Sequence, residues 1–596
     1  MGAVSDLPLS NPAPRWCPIS LRTFTGPARC SQYVEGLETG SDACVFVGIV
    51  PSAGCGLGAS LGRKITPQPN MNSYTRELQY DTIIVGAGSA GAVLAARLTE
   101  DPDHRILLLE VGPDYPAIEE LPDEVKYNYR QPPHPSTGYT SPHFWWYVAR
   151  YTGQSTPGIV PRGRVVGGSS AVNAAIFLRG VPEDYDSWTP WDDNDRWNYQ
   201  QLLPYFRMVE TDTDFDGDFH GADGPIVVRR FGRGEMNPDQ VGFYDAALEM
   251  GFADCPDHNS PGTTGVGPTP MNNPGGVRWS TSMGYLDPVR QRPNLTIVGG
   301  CLVHRVLFEE GRAVGVVAEV GGDVFTVSAD ETILSAGAIG SPHLLLRSGV
   351  GPARQLESVG VPVVLDLQGV GENLRDHPQV HVTWRTRDDF VQPQGLPTIQ
   401  TTLRYTAQNS YLVNDMLIHP GSRGQLRRNP RRNQNNEYGL LMVVCLDLAT
   451  SAGTIRLRSE DPHVQPIIDY DYLRSEFDRS RMREGVRICL DLAEHESWRS
   501  LVTERVVPDD LDLESDEALD RWLLRWAQTS HHSSGTCKMG PETEPTSVVD
   551  PTGRVYGIDG LRVVDASIMP DCTRANTNAT SIMIGERVAD LIREGC

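Results

Sequence analysis

Residues 80–91 read YDTIIVGAGSAG, an apolar run that breaks into three glycines with the spacing Gly-x-Gly-x-x-Gly. In such a turn Gly86 allows a tight bend, Gly88 lets a ligand approach the backbone, and Gly91 lets the next helix pack close to the strand. A helix is predicted over residues 90–99, with its N-terminal amides and the positive end of its dipole directed at phosphates. The pattern therefore predicts the turn of a dinucleotide-binding unit.

A second apolar run follows this helix and ends in an acid. Residues 105–109 lead into Glu110, which lies 19 residues after Gly91. A carboxylate near this offset can hydrogen-bond a ribose hydroxyl. A glycine turn that is only structural is the alternative, but the complete order of strand, turn, helix, strand and acid favours cofactor binding.

The composition is that of a large globular protein. The chain has 596 residues, more than a single core usually holds, so two or more domains are expected. With 39% hydrophobic and 21% charged residues it has an ordinary soluble composition, and it contains no apolar run of about 18 residues that would indicate a transmembrane helix. The formal net charge of −24 argues against a nucleic-acid partner, because phosphate binding needs a basic surface.

The 11 cysteines are dispersed and show no Cys-x-x-Cys or His-rich ligand spacing. No metal site is therefore predicted from the local patterns. An odd, scattered number of cysteines fits a reducing compartment better than a disulfide framework. We therefore expect a cytoplasmic protein, either free or peripheral to the membrane.

The first 75 residues differ from the rest of the chain. They are rich in Gly, Pro and Ser, show little periodicity, and lack the basic and apolar regions of a secretory signal. Met71 lies just before the recognisable pattern. Two interpretations remain: a disordered extension, or an upstream start that is not part of the natural protein. The second is favoured because the extension adds no motif.

Longer motifs lie further along the chain. They are GRVVGGSSAVN at 163–173, GAIGSPHLLLRSGVG at 337–351, GTCKMG at 535–540, LRVVDAS at 561–567 and NATSIMIGE at 578–586. With the glycine turn, these segments resemble the glucose-methanol-choline (GMC) oxidoreductases over about residues 78–593. The run CTRANTN at 572–578 is more similar to the bacterial choline-dehydrogenase-like members, including a branch associated with the redox peptide mycofactocin, than to fungal sugar oxidases.

This resemblance implies an α/β protein, α+β overall, in which a Rossmann-like FAD-binding domain is interleaved with an antiparallel-sheet substrate-binding domain. The FAD-binding domain is predicted over residues 76–205, 291–380 and 526–596, and the substrate-binding domain over 206–290 and 381–525. Local patterns predict strands at 296–299, 314–320, 324–327 and 439–447 and a helix at 477–494.

The resemblance also implies which residues contact FAD. They are Gly86, Gly88, Ser89, Ala90, Gly91, Glu110, Gly168, Asn173, Ala174, Val303, Asp565 and Ala566. Val303 matches a position whose backbone meets the adenine edge, although it could equally be an ordinary core valine. Some relatives attach the flavin covalently through a histidine that precedes the asparagine of the first motif. Here that residue is Val172, so non-covalent FAD is predicted.

Alcohol oxidation needs a base, because hydride transfer leaves a hydroxyl proton behind, and imidazole titrates in a suitable range. In TSHHSSGT at 529–536, His532 matches the family's active-site histidine, whereas for His531 a structural or substrate contact is favoured. Asn578, 46 residues after His532, is predicted to hold the substrate oxygen with its amide. It is also a candidate N-cap for a helix over 579–592.

The predicted function is the FAD-dependent oxidation of a small alcohol to an aldehyde or ketone, with His532 as base. A quinone or another redox carrier is favoured as electron acceptor, and dioxygen is the alternative. A fatty acid photodecarboxylase, which is a lyase without an alcohol-oxidising base, is disfavoured by His532 and Asn578, and by His419 near where that branch would have an arginine. A flavin-binding scaffold without turnover is the remaining alternative, and it would not need the base.

Overall fold

A computed structural model describes residues 80–128, 141–191, 195–391, 395–425 and 438–596. The predicted N-terminal extension lies outside the described residues. The described strands, in chain order, are β1 Tyr80–Val85, β2 Ile106–Leu109, β3 Phe144–Arg150, β4 Gly158–Gly163, β5 Glu210–Asp212, β6 Ile226–Val228, β7 Gly265–Pro268, β8 Leu295–Val298, β9 Cys301–Glu309, β10 Arg312–Val320, β11 Asp323–Leu334, β12 Val350–Gly351, β13 Leu365–Asp366, β14 Pro378–Thr386, β15 Thr401–Tyr405, β16 Met416–Gln425, β17 Tyr438–Leu446, β18 Thr454–Arg456, β19 Ile467–Asp469, β20 Val502–Val507, β21 Gln528–Thr529 and β22 Leu561–Val563.

The described α-helices are α1 Ser89–Leu98, α2 Asp123–Lys126, α3 Pro182–Asp186, α4 Tyr199–Val209, α5 Pro238–Glu249, α6 Gly337–Arg347, α7 Ala353–Ser358, α8 Glu476–Glu494, α9 Glu496–Arg499, α10 Asp516–Trp526 and α11 Thr577–Arg593. Short 3-10 or π turns occur at Gly168–Ala171, Thr189–Trp191, Pro274–Gly276, Ser282–Leu286, Asp287–Val289, Leu511–Leu513 and Ala566–Ile568.

The first large sheet joins a parallel part to an antiparallel part. Its strand order is β8-β2-β1-β11-β10-β9, and β22 also pairs with β11. Strands β8, β2, β1, β11 and β22 run parallel, whereas β9, β10 and β11 form an antiparallel meander. The long strand β11 takes part in both, because residues 323–328 pair with β10 and residues 329–334 with β1.

The glycine turn connects β1 to α1 at the centre of this sheet. Strands β1 and β2 are buried along almost their whole length, as expected for parallel strands that are covered on both faces. Gly86 has a left-handed φ of 104°, and a Cβ on Gly91 would lie 1.9 Å from the carbonyl oxygen of Gly86. Only glycines allow the helix to start this close to the strand, which is the geometry the sequence predicted.

The C-terminal helix α11 packs on α1 behind the glycine turn. A Cβ on Gly585 would lie 2.9 Å from Val93 Cβ, so this glycine lets the two helices approach closely. The next residue, Glu586, is 2% exposed and accepts hydrogen bonds from Arg97 Nε at 2.8 Å and Tyr285 Oη at 2.7 Å. A buried carboxylate requires such partners, so this cluster fixes α11 to α1.

The second large sheet is antiparallel, with the strand order β20-β14-β17-β16-β15-β7 and with β21 also paired to β14. Both of its faces are covered by apolar side chains that alternate along the strands. Met416, Ile418, Leu440 and Met442 belong to the same core cluster as Met482 and Val486 of α8. Leu417, Leu441, Val443 and Cys445, on the opposite face, pack with Ala175, Ile176, Leu178 and Ala575.

The predicted fold class, a Rossmann-like part with an antiparallel sheet, is confirmed. The elements differ from the predictions mainly at their ends: β17 covers Tyr438–Leu446 and α8 covers Glu476–Glu494. The C-terminal helix begins at Thr577, with Asn576 as its N-cap, so the expected N-cap Asn578 lies inside the first turn. The predicted residue boundaries of the two domains stay a prediction. Within the described residues, no helix is both long and apolar enough to cross a bilayer.

Replacing Glu586 with Gln should lower the free energy of unfolding by about 3 kcal/mol, because it leaves the partly buried Arg97 without its main counter-charge. Glu100→Gln is a matched control, since Glu100 pairs with the same Arg97 at 3.0 Å but has a side chain that is 38% exposed. That change should cost less than about 1 kcal/mol. Urea unfolding of both variants beside wild type measures the difference, and equal losses would contradict the role of the buried pair.

Candidate active site

A cavity of about 360 Å³ runs past the glycine turn, between the parallel strands, β3 and the loop at 462–465. Nine of the twelve residues predicted to contact the cofactor line it: Gly86, Gly88, Ser89, Ala90, Glu110, Gly168, Val303, Asp565 and Ala566. The other three lie elsewhere. Gly91 packs against Gly86, Asn173 Oδ1 accepts the backbone N–H of Ala175, and the Ala174 carbonyl accepts from Asn128 Nδ2.

Glu110 lines the cavity and lies directly after β2. Its carboxylate accepts backbone N–H groups from Ala87 at 3.1 Å and from Gly112 at 2.9 Å. Burial nevertheless raises the pKa of Glu110 to about 7. A carboxyl group held this way is suited to a ligand hydroxyl rather than to a cation, which fits the predicted contact with a ribose.

Asp565 also lines the cavity and binds the backbone around it. Its Oδ2 accepts from the N–H of Gly337 at 2.8 Å and from Ser341 Oγ, and its Oδ1 accepts from the N–H of Ser567 at 2.7 Å. Burial raises the pKa of this carboxyl group. These bonds fix the start of α6 beside the lining of the cavity.

Several features of the cavity fit an elongated polar cofactor. A Cβ on Gly88 would meet no atom nearer than Gly168 Cα at 3.9 Å, so the space over this backbone is open. His343 and Arg347 line the cavity and keep buried nitrogen atoms without a partner among the described residues. The amide nitrogen of Asn578, beside Ser89, is likewise buried without a hydrogen-bond partner among the described residues. A dinucleotide would supply partners for such donors.

A chain of hydrogen bonds surrounds His532, which follows β21. His532 Nδ1 lies 2.9 Å from Nδ1 of His377, the residue directly before β14. Nε2 of His377 lies 3.0 Å from Cys572 Sγ, and Nε2 of His532 lies 2.8 Å from Asn576 Nδ2. Four residues from three distant segments therefore meet at one point beside the antiparallel sheet.

One assignment of protons satisfies this chain. If Asn576 Nδ2 donates to Nε2 of His532, then His532 carries its proton on Nδ1 and donates to His377. His377 in turn carries its proton on Nε2 and donates to the sulfur of Cys572. Both imidazoles are neutral in this arrangement, and Nε2 of His532 keeps a lone pair that can accept a proton.

The electrostatics of the pair agree with neutral rings. Burial lowers the pKa of His377 to about 3, and burial together with the neighbouring His377 holds the pKa of His532 well below its usual value. Behind them, Asp376 Oδ1 accepts the backbone N–H groups of His377 at 2.8 Å and His532 at 2.9 Å. Its Oδ2 accepts from Tyr472 Oη at 2.7 Å, so this buried carboxylate holds both histidine backbones.

The two asparagines near the start of α11 have different surroundings. Asn576 is the N-cap, but its side chain makes no capping bond and instead reaches His532. Asn578 Oδ1 accepts a hydrogen bond of 2.8 Å from Ser89 Oγ in the glycine turn. Asn576 therefore contacts His532, whereas Asn578, to which the sequence assigned the substrate contact, contacts the glycine turn; the assignment to Asn578 stays a prediction.

The remaining histidines near the site are held by the scaffold. His531 has a left-handed φ of 68°, and its carbonyl accepts a hydrogen bond from Arg162 of β4. His419 of β16 is buried, with Nδ1 3.0 Å from Thr402 Oγ1. Burial lowers the pKa of His419 to about 4, so this ring is neutral as well.

Sequence reasoning missed Asp376, His377, Cys572 and Asn576. The run NLRDHP at 373–378 carries a signal, since an acid and a histidine stand together directly before a strand. However, His377 and His532 are 155 residues apart, and no local spacing connects them. The choice between Asn576 and Asn578 depends on where the helix begins, which the pattern placed two residues too late.

A cavity lined by the glycine turn, Glu110 and Asp565 fits a dinucleotide cofactor, and the comparisons with known proteins agree. The chain belongs to the GMC oxidoreductase family, since the models of the family's N-terminal and C-terminal parts match residues 80–379 and 449–585. The predicted family and its cofactor, FAD, are thereby confirmed.

Three relatives illustrate the range of this similarity. The chain is 39% identical over 520 residues to an uncharacterized GMC-type oxidoreductase in the thcA 5′ region of Rhodococcus erythropolis, covering 86% of this chain and 98% of that protein. It is 37% identical to the mitochondrial choline dehydrogenase of Mus musculus, covering 86% and 89%. The crystal structure of pyridoxine 4-oxidase from Mesorbium loti superposes with a TM-score of 0.79 at 30% identity, covering 87% and 99%.

Replacing Gly88 with Ala should remove most of the FAD from the purified protein without unfolding it. The new methyl group meets no atom of the chain within 3.9 Å, but it occupies the open space beside the glycine turn. The ratio of flavin to protein absorbance after gel filtration, with circular dichroism as a check on folding, measures the effect. Gly153→Ala is the control, because its Cβ would meet no atom within 4 Å and it lies outside the cavity. Full FAD content in both variants would contradict this placement of the cofactor.

Proposed function

We propose that this protein oxidises a primary or secondary alcohol to an aldehyde or ketone, with His532 as the base. The observation that carries the proposal is the neutral His532, whose Nε2 faces Asn576 and whose Nδ1 faces His377. When FAD is bound, it supplies the acceptor for the hydride of the alcohol carbon. The glycine turn, Glu110 and Asp565 would hold it along the cavity.

The proton of the alcohol passes to Nε2 of His532. This nitrogen accepts a hydrogen bond in the chain described above, so a substrate hydroxyl can take the place of the donor and deliver its proton there. Because the pKa of His532 is held well below its usual value, the ring is unprotonated at neutral pH and ready to accept. The ordered backbone of residues 376–377 keeps the ring in place.

Asn576 holds the substrate oxygen. Its Nδ2 lies 2.8 Å from the nitrogen that takes the proton, so an oxygen bound by this amide is next to the base. An amide can stabilise negative charge that develops on the oxygen but cannot itself accept the proton. His532 is therefore the base and Asn576 the donor that binds the substrate oxygen, while Asn578 contacts the glycine turn that holds the cofactor.

His377 and Cys572 position the base. The Nδ1 atoms of the two histidines face each other at 2.9 Å, which keeps the proton of His532 on Nδ1 and leaves Nε2 free. When His532 becomes protonated, His377 Nδ1 remains as the acceptor of that Nδ1–H. Such a chain disfavours a photodecarboxylase or a scaffold without turnover, because neither needs an oriented base.

The electrons leave to a quinone or another redox carrier. The choline dehydrogenase among the relatives supports a dehydrogenase, and the pyridoxine 4-oxidase among the solved structures keeps an oxygen-using alcohol oxidase as the second candidate. The two names give the substrates of those relatives and do not identify the alcohol of this chain.

Replacing His532 with Ala should slow the reduction of bound FAD by an alcohol roughly 10²- to 10⁴-fold, because the proton acceptor is lost. Anaerobic stopped-flow absorbance measures this step directly. His531→Ala is the matched control, since the neighbouring ring does not belong to the hydrogen-bonded chain, and it should slow reduction less than about tenfold. Reduction of His532→Ala at the wild-type rate would remove the assignment of the base.

The two asparagines make a matched pair of variants. Asn576→Ala should slow FAD reduction roughly 10²- to 10³-fold with FAD content unchanged, as for the loss of one oxygen-binding donor. Asn578→Ala should mainly weaken FAD binding, because it removes the partner of Ser89 in the glycine turn. FAD titration and anaerobic reduction of both variants separate the two effects. The opposite result, with slow reduction only in Asn578→Ala, would restore the role that the sequence predicted.

A further inference from the structure

Three side chains able to bind a metal converge at the surface beside the cofactor cavity. Nε2 of His304 lies 2.9 Å from Oε2 of Glu319, and Nε2 of His463 lies 3.2 Å from the same oxygen. The three ligand atoms lie within 4.8 Å of one another. The residues come from β9, β10 and the loop between β18 and β19.

The distances suit a small divalent ion. For metal–ligand bonds of about 2.0–2.2 Å in tetrahedral geometry, neighbouring ligand atoms are roughly 3.4 Å apart. The two nitrogen–oxygen distances at Glu319 need to widen only slightly to reach this value. Two imidazoles and one carboxylate form a donor set suited to zinc and related divalent transition metals. The His463 side chain is 60% exposed, so an ion can enter and water can complete its coordination.

The backbone directs these side chains toward one another. Val303 pairs with Ala318 and Arg305 with Val317, so His304 is the extra residue of a β-bulge. A bulge re-aims the side chain it carries, and bulges are common beside functional sites. The loop with His463 is also fixed, since Gln465 bonds the backbone of Val148 through its Oε1 at 3.0 Å and its Nε2 at 2.8 Å.

A second cluster of possible metal ligands in the described residues is already paired with arginine side chains. Glu210, Asp212 and His220 also bring their ligand atoms together, but they are buried with arginines. Arg230 Nη1 lies 2.8 Å from Asp212 Oδ2, and Arg179 pairs with Glu210. These guanidinium groups already supply the positive charge, whereas Glu319 pairs only with His304 and His463 among the described residues.

We propose that His304, Glu319 and His463 bind a divalent transition-metal ion and that the ion clamps the cofactor cavity. Val303, next to His304, lines one wall of the cavity, and residues 462–465 line another. An ion held by all three ligands ties these walls together and slows the release of FAD. The clamp depends on FAD binding but not on which alcohol is oxidised.

Zinc is the probe for this site. The FAD-loaded protein is freed of metal with a chelator, titrated with zinc, and separated from free metal before its zinc content is determined. Wild type should bind one additional zinc ion per chain compared with each of the variants His304→Ala, Glu319→Gln and His463→Ala. The zinc affinity of wild type should exceed that of each variant by at least about tenfold. Release of FAD, followed by its fluorescence, should slow several-fold with zinc in wild type and stay unchanged in the variants.

His495→Ala is the matched control, because His495 Nδ1 also lies 2.9 Å from a carboxylate, that of Glu249, but without a second imidazole. It should bind zinc as wild type does. Equal zinc content in wild type and in the three ligand variants would overturn the site. Zinc bound at the site with no effect on FAD release would overturn the clamp.

Discussion

The close contact between β1 and α1 is the constraint on which the site depends. A Cβ on Gly91 would lie 1.9 Å from the Gly86 carbonyl, so glycine is needed for α1 to start directly over the turn. Helix α11 then packs on α1 and is held by Glu586 behind the turn and by the Ser89–Asn578 bond in front of it. The first turn of α11 is thereby fixed, and Asn576 at its N-cap reaches His532. The glycine turn and the amide that contacts His532 are thus positioned by one pair of helices.

In the proposed reaction, His532 accepts the proton because its ring is neutral and oriented, not because it is strongly basic. Burial disfavours charge on both His377 and His532, and Asp376 accepts the backbone N–H groups of both residues. The hydrogen bonds between the rings then decide which nitrogen carries the proton. The antiparallel sheet contributes the rigid edge on which His377 stands, and the loop after β21 brings His532 to it.

Sequence reasoning succeeded where the information is local. The glycine spacing and the acid after β2 predict a contiguous unit, and the structure places most of the predicted cofactor residues along one cavity. Contacts between distant segments could not be predicted in this way. Asn576 and Asn578 carry the same side chain two residues apart, so only the true start of α11 distinguishes them. The group formed by His304, Glu319 and His463 is assembled by a bulge and a loop, and no ligand spacing in the sequence could have indicated it.

The most direct test of an alcohol-oxidising flavoprotein is the absorbance of the purified FAD-loaded protein, mixed without oxygen with a panel of primary and secondary alcohols. The oxidised-flavin bands should bleach with at least one class of alcohol and recover when a quinone is added. A protein whose bound flavin is reduced by chemical reductant but bleached by none of the alcohols would contradict the proposed reaction.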